Sequence, residues 1–250
     1  MNIIVCIKRV PDTESRIGIA PDGTSVDTEG QKFVVNPYDE YAIEEALRLK
    51  EAAGDGTVTV MTLGGEESKE TLRTALAMGV DQAVLLKGKP SIDGLGTAEK
   101  LAAAIKERAY DLIMFGKQAI DDDNLQVPAM VAELLGIPCA NVVVELQIDG
   151  EKAKAEREVE GGHEVLEFSL PAVVAAQKGL NEPRYASLKG IMAAKKKPLE
   201  ELEVGNAESR LEVLRVKGPP ERSAGEIVGE GAAAVPELVR KLREEAKVLA

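Results

Sequence analysis

With 250 residues and 44% apolar content, the chain is long enough for one sizeable core, or a core with an appendage. A formal net charge of −12 argues against general nucleic-acid binding. No apolar run is long enough to span a membrane, and the N-terminus enters a strand rather than a signal or transit peptide, so a cytoplasmic protein without membrane insertion is expected.

In chain order, Ile3–Ile7 is an apolar, β-branched run without alternation, which predicts a central strand. Its Cys6 and the distant Cys139 form no metal or CxxC pattern and are expected to be buried reduced thiols. Lys8–Lys32 is a polar excursion with turn signals at Pro11-Asp12 and Pro21-Asp22-Gly23, and Phe33–Val35 is a short apolar return to the core. Asn36–Asp39 opens a helix whose Ala42, Ile43, Ala46, Leu47 and Leu49 face inward, ended by Gly54 and Gly56. A strand at Val58–Leu63, Gly64-Gly65, a helix at Glu66–Met78, a strand at Ala83–Leu86, a helix at Gly94–Ala109 and a strand at Leu112–Phe115 follow. This alternation predicts an α/β fold, a mostly parallel, doubly wound, Rossmann-like sheet with helices on both faces.

The stretch 111–138 organises the rest. Gly116 ends an apolar strand and releases a polar loop, Lys117–Asp123. Val127, Met130, Val131, Leu134 and Leu135 then recur at helical spacing, with Asn124 as the expected N-cap, Pro128 in the first turn, and Gly136 and Pro138 closing the helix. Strand, loop and helix N-terminus present free backbone amides to an anion. Asp121, Asp122 and Asp123 allow two readings from the sequence. Either they turn aside from a phosphate held by the amides, or they form an acidic cap stabilising their own helix. Gly64-Gly65 ends a strand at the ligand-binding edge of the sheet, although an ordinary left-handed turn is the simpler reading. Gly94-Leu95-Gly96 is only a fragment of a dinucleotide fingerprint, and no Walker loop is present.

After Pro138 the pattern changes. Asn141–Ile148, Lys152–Val159 and Glu164–Leu170, separated by Asp149-Gly150 and Gly161-Gly162, predict an antiparallel β-meander over 139–170, and Pro171–Ala176 a last buried strand. His163 sits in a hairpin with no nucleophile beside it, so a hydrolytic triad is not expected. No catalytic constellation is apparent, and an α/β nucleotide fold of that kind suits a carrier or binding module. Gln177–Pro198 is a long polar loop carrying Lys178, Arg184, Lys189, Lys195, Lys196 and Lys197 against one acid, Glu182, together with Leu188, Ile191 and Met192. Apolar residues rimmed by basic ones suit docking to an acidic protein surface; the alternative is that they tuck onto the sheet. The domain reading is therefore 1–198 with the loop included, then 199–250 as an extended C-terminal arm. That arm is acidic, ends in a helix at Val235–Leu249, and is poor enough in apolar residues that it should lie on a partner.

Taken together, Val5–Asp12, Asn36–Ala46, Thr74–Gly79, Gly116–Asp123 and Leu180–Leu188 resemble the beta subunit of electron-transfer flavoprotein, in order and over nearly the whole chain. The resemblance implies an adenine nucleotide α-hydrolase-like fold, an alpha subunit that binds most of the FAD, and an arm wrapped around that subunit. It also implies a structural AMP in this chain. By motif position its contacts would fall on Cys6, Asn36, Pro37, Tyr38, Asp39, Leu63 and Gly64, and on Gly116, Lys117, Gln118, Ala119, Ile120, Asp121, Asp122, Asp123, Asn124, Leu125, Gln126 and Val127. That carry-over favours the phosphate reading of the acidic loop. The loop around Tyr185, Leu188, Ile191, Met192, Lys195 and Lys196 resembles the family's recognition loop for acyl-CoA or related dehydrogenases, from which electrons pass toward a quinone-reducing oxidoreductase. Glu158 matches an acid that meets the alpha subunit near the flavin. Thr13 stands where some members place a Tyr.

A bifurcating branch of the family holds a second FAD where AMP would sit, in a loop of the type AIDGDTAQVGP. Here the loop reads AIDDDNLQVPA, and Asp122 at the Gly position favours the smaller ligand. A free-standing adenine-nucleotide-binding regulator is the remaining alternative.

Overall fold

A computed structural model describes residues 1–220 and 224–249. In chain order the elements begin with β1 (Asn2–Cys6), β2 (Arg9–Pro11), β3 (Gly18–Ile19), β4 (Val26–Asp27), β5 (Phe33–Val35) and α1 (Pro37–Ala53). Next come β6 (Thr57–Gly64), α2 (Ser68–Met78), β7 (Gln82–Lys87), α3 (Leu95–Lys106), β8 (Leu112–Gly116) and α4 (Val127–Leu135). β9 (Cys139–Asp149), β10 (Lys152–Val159), β11 (Gly162–Ser169), β12 (Ala172–Ala176), α5 (Leu188–Ala194), β13 (Leu199–Glu203) and α6 (Val235–Glu244) complete the order, with a 3₁₀ turn at Ala232–Ala234 before α6.

β1 shows why the sheet is covered on both faces. Ile3, Val5 and Ile7 pack into one layer with Ile43 of α1 and Leu72 and Leu76 of α2. Ile4 and Cys6 point the other way, toward Leu101 and Ile105 of α3 and Val131 of α4. A strand buried on both sides has no polar face to alternate with, so its sequence is a continuous apolar run. The main sheet runs β11-β10-β9-β12-β8-β1-β6-β7-β13. β12 through β13 are all parallel, with Ile3 opposite Val58 on one side and Leu112 on the other. The chain steps outward from β1 through β6 to β7, then returns across β1 to β8. The order reverses between β1 and β8, and in such sheets the crevice at the strands' carboxyl ends is the ligand position.

The meander is present: β9, β10 and β11 pair antiparallel, with Ala153 and Ala155 of β10 buried. α1 starts with Pro37 at its first turn and stops at Gly54, whose φ of 74° suits a residue without Cβ.

Phe33–Val35 returns to the core, with Val35 buried in the first layer, and does so as β5, paired with β2 in a separate ribbon where the Arg9 guanidinium lies 3.5 Å from the centre of the Phe33 ring. Three readings are corrected by the structure. The loop 177–198 contains α5, whose N-cap Ser187 accepts the Gly190 amide at 3.0 Å. The arm does not begin at Leu199. β13 adds to the edge of the main sheet against β7, Leu202, Val204 and Ala207 pack against the second core layer, and one compact unit runs over Met1–Arg215. The final helix ends at Glu244 rather than Leu249. The unit from Val216 onward holds α6, braced by Arg240 with Glu237 and Glu244 and by Lys241 with Glu226; residues 221–223 and 250 of the expected arm lie outside the described residues.

Candidate functional site

A cavity of about 150 Å³ opens at the reversal point between β1 and β8. Its walls come from the ends of three parallel strands (Cys6 to Lys8, Thr62 and Leu63, Phe115 and Gly116), from the loop 117–119, and from the start of α4.

The floor is set by one carboxylate. Asp39, in the first turn of α1, is buried, and its Oδ2 accepts the Lys8 amide at 2.7 Å. Its Oδ1 accepts Asn36 Nδ2 at 2.9 Å and the Gly116 amide at 3.0 Å. These bonds tie the ends of β1 and β8 to one helix start. Burial pushes the Asp39 carboxyl up to about 7, against the downward pull of the three N–H donors. Gly116 has no room for a side chain, since a Cβ there would lie 2.5 Å from Asp39 Oδ1 and 2.6 Å from the Tyr38 carbonyl carbon.

Asn36 shapes the wall. Its Nδ2 also donates to the Gln118 carbonyl at 2.8 Å, and its Oδ1 accepts the Ile120 amide at 3.2 Å. The first half of the 117–126 loop is thus held by a side chain more than eighty residues upstream. The three acids do not cap α4. Asp121 and Asp122 receive Lys8 Nζ at 2.8 and 2.9 Å, and Asp123 accepts Gln118 Nε2 at 2.6 Å. Asn124 is not the N-cap either. Gln126 holds that position and makes no side-chain cap, so the amides at the start of α4 are left for another acceptor. The acidic-cap reading of this loop is therefore corrected. Burial disfavours the charged Lys8 ammonium, but the two carboxylates outweigh it and hold its pKa above the ordinary lysine value.

Most of the expected site residues meet here. Cys6, Asn36, Asp39 and Leu63 line the cavity, as do Gly116 to Ala119, Asp122 and Asn124 to Val127. Pro37, Tyr38, Gly64, Ile120, Asp121 and Asp123 are not among the lining residues. Gly64 is not a left-handed turn; a Cβ on it would sit 2.2 Å from Ser68 Oγ, so it lets α2 start close to β6. The glycine of the dinucleotide-like fragment, Gly96, serves packing, because a Cβ would lie 2.0 Å from the Glu208 carbonyl. Cys6 is fully buried, and burial followed by the nearby Asp39 carboxylate raises its thiol well above the ordinary range, which makes it unreactive; Cys139 is only half-buried.

Sequence reasoning missed Lys8, Thr62, Ser91 and Thr97 as lining residues. Lys8 was the findable one, as the first residue after a strand that ends at the reversal point. Ser91 lies in the loop before α3 and Thr97 in the first turn of α3, joined by the Ser91 amide on Thr97 Oγ1 at 2.9 Å, a pairing no local pattern advertises.

A second surface lies on the 177–198 segment. Arg184 grips Glu44 at 2.8 Å and Glu51 at 2.7 Å, and Asn181 Nδ2 reaches the Tyr41 carbonyl at 3.0 Å, which fixes the segment on α1. Those bonds also account for Glu44 and Glu45 being buried on a helix. Lys197 Nζ donates to the Leu76 carbonyl at 3.0 Å at the end of α2. Arg184 and Lys197 are thus committed within the chain and do not belong to a free basic patch. The apolar members do not tuck onto the sheet: Tyr185 is 97% exposed, Leu188 83% and Met192 72%, with Ile191, Lys195 and Lys196 exposed beside them. α5 presses on α2 closely enough that a Cβ at Gly190 would lie 2.3 Å from the Ala77 carbonyl. The exposed apolar residues therefore ride on a fixed helix rather than a free loop. Elsewhere on the surface, Thr13 is exposed, Glu158 accepts Gln177 Nε2 at 2.8 Å, and His163 pairs with Glu156 across the β10–β11 ladder.

The electron transfer flavoprotein domain profile matches residues 23–207. The chain is 47% identical to the Bacillus subtilis electron transfer flavoprotein subunit beta, with the full length of both chains covered. It is 42% identical to the subunit of that name from Bradyrhizobium diazoefficiens, again over both full lengths. Identity to the Homo sapiens subunit beta is 40%, covering 99% of each chain.

Proposed function

The chain belongs to the electron transfer flavoprotein family as a beta subunit, and we propose that it stabilises a heterodimer by holding an AMP in the cavity beside β1 and β8. The observation that carries this reading is the uncapped start of α4 facing a cavity whose adjoining loop is fixed by Asn36. That donor set fits an anion: backbone amides supply hydrogen bonds, while Lys8 pairs with both Asp121 and Asp122 and offsets one of their two negative charges. The start of α4 at Gln126 and Val127 would hold the phosphate end. Leu63, Phe115 and Leu101 supply the apolar wall that a planar base needs.

In this reading the redox chemistry belongs to an FAD held mainly by the alpha subunit, and FAD accepts and releases electrons one or two at a time. This chain contributes docking and alignment. Thr13 and Glu158 face the alpha subunit near the flavin. The arm beyond Arg215, whose α6 buries none of its residues, lies on that same subunit. Leu188, with Ile191 and Met192 beside it and Lys195 and Lys196 at the rim, enters the acyl-CoA or related dehydrogenase that delivers electrons, which then pass to a quinone-reducing oxidoreductase. Leu188→Ala should slow electron transfer from such a dehydrogenase by about tenfold with flavin content unchanged, as expected for an anchor side chain at an interface centre. Steady-state dye reduction checks it, and an unaltered rate removes α5 from docking.

Asp122 supports AMP over a second FAD, because it lines the cavity and is held there by Lys8. Nucleotides extracted from the purified heterodimer should be one FAD and one AMP. Two FAD molecules would transfer the chain to the bifurcating branch. A stable monomer exchanging ATP or AMP would make it a free-standing regulator.

A further inference from the structure

We infer that Lys8 is the latch that retains the nucleotide, so that ligand entry and exit proceed by breaking its ion pairs with Asp121 and Asp122. This rests on the nucleotide reading of the same cavity. The argument comes from how unevenly the loop beside the cavity is held. Its first half is fastened to the body of the fold by the Lys117 amide on the Ala176 carbonyl at 2.9 Å and by Asn36 on Gln118 and Ile120. Its second half, 121–125, makes hydrogen bonds within the loop: the Asp123 amide to Ala119, Gln118 to Asp123, and the Asn124 amide to Asp122. Among the described residues, the only hydrogen bonds that join 121–125 to anything outside the loop are those of Lys8.

Lys8 is a firm post for that purpose, since its own amide is fixed by Asp39 at 2.7 Å. The half it holds is strained. Asp123 and Leu125 carry side chains at φ of 50° and 53°, a region L-residues avoid, so the loop has somewhere easier to go once released. Lys8, Asp122, Asn124 and Leu125 all line the cavity, which places the tether at the ligand's boundary. Both ion pairs are partly exposed and therefore weak enough to break on a functional timescale and to respond to salt.

The test is the exchange of bound AMP for labelled AMP in the purified heterodimer. Lys8→Gln should speed exchange by about fivefold to tenfold, the range that two partly exposed pairs support. Asp121→Asn combined with Asp122→Asn should do the same, and Lys8→Arg should restore slow exchange. Raising salt from about 0.05 to about 0.5 M should speed the wild type and leave Lys8→Gln unmoved. Unchanged exchange in Lys8→Gln overturns the latch. So does faster exchange in Lys8→Gln with slower exchange in the double asparagine variant, which would mean that Lys8 binds the phosphate directly. A heterodimer that neither carries nor takes up AMP overturns the nucleotide reading itself, and the latch with it. Bound AMP with unaltered exchange sinks the latch alone.

Discussion

Asp39→Asn should destabilise the chain by about 3 kcal/mol, the scale expected when a buried acceptor of several hydrogen bonds is removed and its donors are left facing no oxygen. The carboxylate accepts from opposite sides: Lys8 on Oδ2, Asn36 and Gly116 on Oδ1. An amide has one oxygen. If that oxygen takes the Oδ1 place, its NH₂ points at the Lys8 amide; turned over, it points at Asn36 Nδ2 and the Gly116 amide. Neither orientation avoids a buried donor against a donor. Urea denaturation would read the effect, and a loss under about 1 kcal/mol, no more than an ordinary substitution, would show that these ties do not hold the strand ends. The same carboxyl adds a pH signature. Burial lifts it from an ordinary 3.8 to about 7 in the folded chain. Between those values the folded chain keeps a proton that the unfolded chain releases. Its stabilising contribution is therefore complete below 3.8 and is lost as pH rises through about 7. The stability gap between wild type and Asp39→Asn should be narrower at about pH 8 than at about pH 5; a gap that widens would contradict the assignment.

Gly116→Ala should cost more than about 3 kcal/mol and sharply reduce the yield of folded protein. The added methyl would meet Asp39 Oδ1 at 2.5 Å and Tyr38 backbone and Cβ atoms at 2.6 Å, and neither neighbour is the free end of a flexible chain. β8 would have to part from the first turn of α1, and the cavity floor would part with it. Gly136→Ala gives the internal contrast. Gly136 ends α4 at φ 69° with nothing within 4 Å of a Cβ, so its cost is the conformational one alone, about 1 kcal/mol. Chemical denaturation of the two variants in parallel separates crowding from backbone strain. Similar losses for both would mean that β8 and α1 can yield.

Much of the fold was legible because its signals are local. A strand buried on both faces favours a continuous apolar run, and β1 and β8 read as such, while β6 keeps buried Thr59 and Thr62 among its apolar residues. The helices announced themselves by spacing and by their stops, Gly54 for α1 and Gly136 for α4. The elements that escaped are those whose stability comes from elsewhere in the chain. β13 reads LEELE, an acidic stretch with no strand signature. It becomes a strand because β7 offers an open edge, and because Lys69, Lys87 and Arg108 meet Glu201, Glu203 and Glu200 at 2.6, 2.8 and 2.7 Å. α5 has seven residues, too few for a periodic pattern, and stands because α2 backs it.

The acidic loop marks the limit most clearly. That a helix would begin near Val127, and that an anion could approach it, followed from glycine, proline and apolar spacing, all local properties of the chain. Whether Asp121, Asp122 and Asp123 would cap that helix, repel a ligand or turn away could not follow from the same stretch. The direction of a carboxylate is set by whichever cation or donor the fold brings to it. Here those are Lys8, some 113 positions earlier, and Gln118 within the loop. Local sequence determined the elements and their order; only tertiary proximity decided which charges meet, because hydrogen bonds need contact distance and Coulomb energy falls as 1/r with screening over about 10 Å, so both depend on the folded distance rather than on separation along the chain.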